Sequence, residues 1–227
     1  MSLTGGYYTL IGSLPHLPEP GKAVRAPINR QRLAQRFGLL GAEETRELEA
    51  VASLLLWERS VSFESDADVM QRYGELLGEI EHADLRRFVE YWMELRTVLA
   101  ALRRKQRGEG APSRDEAWGA GPHVPWIERH WDKPDFGLGA VYSWMAEARD
   151  HLAAGRAKDL QALQTGLVWR YLDRIAEPDP FGFGAVFAYA FKWHLLTRWL
   201  SHDPAVATER FRNLVEEVCH ELQQDDV

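Results

Sequence analysis

The chain has 227 residues, 45% apolar and 27% charged, with a formal net charge of −7 and nine tryptophans. That is core material for one globular unit or two small helical lobes. The acidic balance disfavours bulk nucleic acid and anionic lipid as partners. A single cysteine, Cys219, excludes an internal disulfide and fits a reducing compartment. No apolar run approaches the ~20 residues that cross a bilayer. No signal peptide pattern is visible, and the leading Met1-Ser2-Leu3 reads as an expression scar.

In chain order, Tyr7-Tyr8-Thr9-Leu10-Ile11-Gly12-Ser13-Leu14 is β-branched and aromatic and is stopped by Pro15, which predicts a short strand or an extended segment. Pro15, Pro18, Pro20, Gly21 and Pro27 then mark a loop. Asn29 is placed to cap a helix over 30–37. A second helix over 43–57 carries Leu48, Val51, Ala52, Leu55 and Leu56 on one face. Ser65 opens a third, with Met70, Tyr73, Leu76, Leu77 and Ile80 as its stripe. The longest pattern covers 83–107, where Leu85, Phe88, Val89, Trp92, Leu95, Leu99 and Leu102 recur at three- and four-residue steps. Gly108-Glu109-Gly110-Ala111-Pro112 ends it and suggests a lobe boundary, giving lobes of 1–110 and 111–227. The second lobe predicts a short helix near Trp126, Ile127 and Trp131, then helices near 137–153, 157–176, 181–200 and 205–223. The expected fold is all-α: about 8–10 helices in an antiparallel bundle or array, with a short extended N-terminal segment.

One phrase occurs twice. Residues 136–144 read Phe-Gly-Leu-Gly-Ala-Val-Tyr-Ser-Trp and residues 181–189 read Phe-Gly-Phe-Gly-Ala-Val-Phe-Ala-Tyr. Each copy follows a Pro-Asp break and precedes a helix-like run. We read Phe136, Gly137 and Gly139, with Phe181, Gly182 and Gly184, as a helix-packing device whose glycines let a helix start approach a neighbour. A nucleotide-loop reading fails, because the third glycine, the preceding strand and the acidic partner are all missing.

His123, Glu128, His130 and Asp132 fall within ten residues, but their spacing fits neither one helical face nor the His-Glu-x-x-His zinc pattern. No metal site and no cofactor is expected. His194, among Phe191, Trp193, Leu195 and Leu196, reads as a core or boundary histidine. His82, His202 and His220 lie near helix ends. Cys219 reads as a buried thiol. Arg103, Arg104, Lys105 and Arg107 form the one dense basic run. They complement the dipole at a helix C-terminus and are also candidate contacts for an acidic partner protein. No Gly-x-Ser-x-Gly element is present and no carboxylate pair stands out, so no residue is assigned a catalytic role.

Two segments carry a resemblance. Tyr7-Tyr8-Thr9-Leu10-Ile11-Gly12-Ser13-Leu14-Pro15 resembles the opening of an uncharacterised bacterial family usually encoded within V-type (A/V-type) ATP synthase operons. Pro180-Phe181-Gly182-Phe183-Gly184-Ala185-Val186-Phe187-Ala188-Tyr189, running on through Trp193 to Trp199, resembles that family's C-terminal signature. The family stands where the C-type subunit of the V-type ATPase would be encoded. It is similar in style to that component, which is called d in eukaryotic V-ATPases. The resemblance covers most of the chain. It implies a non-catalytic, all-helical cytoplasmic part that links the central shaft to the membrane rotor ring, peripheral to the membrane through protein contacts alone. The chain is shorter than a full C-type subunit, so the resemblance leaves open a truncated socket or an accessory. It assigns no binding residues. The alternative expectation is a free-standing helical protein that binds a small molecule, or an enzyme of unknown reaction.

Overall fold

A computed structural model describes residues 7–55, 65–113 and 116–202. Among these residues there are nine α-helices, one 3-10 turn and no strand, so the protein is all-helical as its periodicities require. Backbone proximity divides the chain into two units, residues 1–39 with 179–227 and residues 40–178. The expected helix over 205–223, with Cys219 and His220, lies outside the described residues.

In the first unit, α1 (Tyr7–Gly12), a 3-10 turn (Pro20–Lys22) and α2 (Arg30–Phe37) accompany α9 (Phe183–His202). Asn29 caps α2 as expected, its Oδ1 accepting the Arg32 N–H at 2.8 Å. The predicted N-terminal strand is instead the helix α1. Its Leu10 is fully buried, and α1 packs on α9, with the Tyr7 and Phe183 rings 6.0 Å apart. Burying that face outweighs the modest β preference of its residues. The proline-rich stretch that follows is tied to α9 by side chains. Tyr189 donates its hydroxyl to the Pro15 carbonyl at 2.9 Å, and the Trp193 indole donates to the Ile28 carbonyl at 2.8 Å. Burial pushes the Tyr189 hydroxyl up to about 12.

The second unit holds α3 (Ala42–Leu55), α4 (Asp66–Glu79), α5 (Ala83–Gln106), α6 (Val124–Arg129), α7 (Met145–Ala153) and α8 (Ala157–Ala176). Helix α5 is its axis and touches α3, α7 and α8. All seven apolar residues of its predicted stripe are buried, each worth roughly 1.5–3 kcal/mol relative to exposure. Ser65 and Asp68 form a capping box at the start of α4. Helix α5 lacks a side-chain cap from His82. The buried Glu47 carboxylate of α3 serves there, accepting the Glu81 and His82 N–H groups at 3.1 and 3.3 Å. On the α8 side, Tyr91 and Tyr171 stack at 3.8 Å, and Tyr171 donates its hydroxyl to the Arg87 carbonyl.

The boundary expected at 110/111 does not coincide with the division at 39/40 and 178/179. The Gly/Pro stretch after α5 is stitched back onto that helix. Arg104 pairs with Glu109 and Glu116, and the Trp131 indole donates to the Glu109 carbonyl at 3.1 Å.

Candidate functional site

Three residues on one face of α5, spaced three and seven apart, grip the chain that leads into α6. Arg104 holds Glu116 at 2.7 Å, Thr97 Oγ1 accepts the Ala120 N–H at 2.9 Å, and Glu94 meets His123. Between them runs Trp118-Gly119-Ala120-Gly121-Pro122, a strap laid flat on the helix. A Cβ at Gly119 would come 2.5 Å from Thr97 Cγ2, closer than packed atoms approach. Gly121 adopts φ +107, a conformation side chains resist. Trp118 is buried and donates its indole N–H to Glu128 at 3.0 Å.

The strap delivers His123 to Glu94 and Tyr142. His123 Nδ1 lies 2.6 Å from Glu94 Oε1 and 3.0 Å from the Tyr142 hydroxyl oxygen. The side chains are mostly buried, His123 29% and Glu94 21% exposed. Burial, followed by the hydrogen bond to Glu94, pushes the Tyr142 hydroxyl well above the usual phenol range. Helix α5, the strap and the first copy of the repeated phrase thus each supply one member of a polar cluster. Sequence reasoning weighed His123 against its near neighbours and missed both partners. Those neighbours are engaged elsewhere: Glu128 with Trp118, and His130 with the Trp126 carbonyl and the face of the Trp126 ring. Asp132 is exposed. Among the described residues, no group of three or more metal-ligating side chains is placed to hold an ion.

The two phrase copies take different shapes. In the first, Asp135 accepts the Gly137 and Gly139 N–H groups at 2.9 and 3.2 Å, and the Gly137 bond chiefly holds its carboxyl below the usual carboxylate range. Phe136 and Gly137 are both left-handed, at φ 54 and 70. Phe136 is fully buried beside Trp131, and its carbonyl accepts the Trp126 indole N–H at 2.9 Å. Helix α7 starts only at Met145, later than predicted, because this turn occupies the intervening residues. In the second copy Asp179 accepts the Phe181 N–H at 3.2 Å, and α9 begins at Phe183. Phe181 is exposed and stacks on Tyr8 at 4.6 Å. A Cβ at Gly139 or Gly182 would lie 2.4 Å from the carboxylate of Asp135 or Asp179, and one at Gly137 would first meet Lys133, at 3.4 Å. These three glycines make room for their own turn, not for a neighbouring helix. Gly184 is buried within α9.

The basic run is largely spent within its own unit. Arg104 and Arg107 pair with Glu109, Arg104 also with Glu116. Lys105 donates to the Trp131 carbonyl and lies over the Trp131 and Phe136 rings. Arg103 is exposed and makes no ion pair among the described residues. No helix among the described residues is long and apolar enough to cross a membrane.

The fold and these sites define an all-helical protein built on two small units, with one half-buried polar cluster. Residues 58–222 match the family described as Protein of unknown function (DUF2764), and the chain belongs to that family. No curated protein and no solved structure matches it.

Proposed function

We propose that this chain is a non-catalytic structural component of a bacterial V-type ATP synthase. In this reading it is a socket resembling the C-type subunit, set between the central shaft and the membrane rotor ring and working in the cytoplasm at the inner face of the membrane. The observation that carries the reading is that the two segments bearing the resemblance meet in one unit. Residues 7–15 lie against α9 and the turn before it through Tyr7 with Phe183, Tyr8 with Phe181, and the Tyr189 hydroxyl with the Pro15 carbonyl. Ring contacts and hydrogen bonds of this kind suit a part that passes torque without deforming. With Arg104, Lys105 and Arg107 engaged internally, Arg103 is the member of the basic run left to contact an acidic partner.

Deleting the gene should uncouple ATP hydrolysis from ion transport while the catalytic head still assembles. The tagged protein should bring down the shaft proteins or the membrane sector. Normal coupled pumping in the deletion strain would overturn the proposal. A second reading, a small-molecule-binding protein, is favoured by the Glu94–His123–Tyr142 cluster alone.

A further inference from the structure

We propose that His123 is the ligand-contacting residue of a small-molecule site, presenting Nε2 as a fixed proton acceptor to neutral or cationic hydrogen-bond donors such as amines. The inference stands apart from membership of a rotary machine. A separation of 2.6 Å between His123 Nδ1 and Glu94 Oε1 needs a proton between them, and an ionised carboxylate has none to give. With Glu94 ionised, that proton is on Nδ1. The Tyr142 hydroxyl, 3.0 Å from that same nitrogen, then has no lone pair there to donate to. In the neutral ring the lone pair is consequently on Nε2. Nε2 has no hydrogen-bond partner among the described residues, and it is not among the buried unpartnered atoms. A carboxylate behind one ring nitrogen fixes the direction of the other.

One further observation weighs against a mere structural pin. The backbone departs from ordinary geometry to deliver His123, through the left-handed Gly121 and the close approach of Gly119 to Thr97. The class of ligand follows from charge. Glu94 lies behind the ring, and the exposed Glu90 lies one turn earlier on the same helix face. Both repel carboxylates and phosphates and favour cations. Rings of Tyr142 and Trp144, with centroids 5.6 Å apart, offer apolar and cation-attracting surface nearby.

The test is ¹⁵N NMR of the histidine side chains in the full chain near pH 7.5. Long-range couplings should show His123 as the Nδ1–H tautomer. Its Nε2 resonance should then move at least several-fold further with methylammonium chloride than with sodium acetate at equal ionic strength. Glu94→Gln should abolish that preference. Tyr142→Phe, which keeps the ring and the contact between His123 and Glu94, should preserve the tautomer and guards against a Glu94 variant that fails to fold. An Nε2–H tautomer, or equal responses to the two salts in the wild type and in Tyr142→Phe, would overturn the proposal.

Discussion

The two copies of the repeated phrase show how one residue of offset changes what a motif does. In the first copy the aspartate directly precedes the phenylalanine, so its side chain captures Gly137 and Gly139 and bends the chain through two left-handed residues. In the second, Pro180 separates Asp179 from Phe181. The capture falls on Phe181 instead, and the glycines run into α9. The same phenylalanine is a buried plug in one copy and an exposed stacking face in the other. The same later position carries a hydroxyl into a polar cluster in one copy and a buried phenyl in the other. Similar words therefore do not imply similar structure when their capping residue moves.

That contrast is open to direct challenge. The largest difference is expected for the two phenylalanines. Phe136→Ala empties a fully buried site and should cost about 3–5 kcal/mol in denaturant unfolding. Phe181→Ala loses only an exposed stack and should cost under about 1 kcal/mol. Equal losses would erase the distinction. Next, Phe187→Tyr places a hydroxyl where its fully buried ring has none, and should destabilise by about 1–3 kcal/mol unless a partner is found. A neutral outcome would mean that the second copy tolerates the first copy's chemistry. The smallest effect concerns the turn itself. Asp135→Asn keeps one acceptor and loses the second, at about 1 kcal/mol. Because the folded Asp135 carboxyl lies below its ordinary value near ~3.9, its contribution is full above that value and disappears as pH falls through the lower, folded one. The gap between wild type and variant should close over that acid range. A gap that is constant with pH would remove the carboxylate from the account.

Local signals were readable where the chain decides locally. The Asn29 and Ser65 caps, the apolar stripe of α5 and the span of α8 follow from side-chain type and a 3.6-residue period. The misses arise where a distant partner decides. Leu10 is buried through the packing of α1 on α9, more than 170 positions later, and that burial makes a helix of a β-prone segment. Glu94 and His123 are 29 residues apart, so a search for ligands at short spacing could not join them. A hint did exist for the strap: glycines at 119 and 121, between a tryptophan and a proline, ask for close contact or unusual φ. The late start of α7 was hidden because a left-handed phenylalanine is foreign to propensity reasoning.

The flush fit of the strap against α5 also tells where the protein will accept foreign material. At Gly119 one methyl group would already collide with Thr97, whereas a Cβ at Gly110 meets nothing within 4 Å. A dye, affinity tag or cross-linker is therefore best placed between Gly110 and Ala111, both exposed, and kept away from residues 118–123. An attachment there reports on whatever the molecule touches while leaving the histidine and its carboxylate undisturbed.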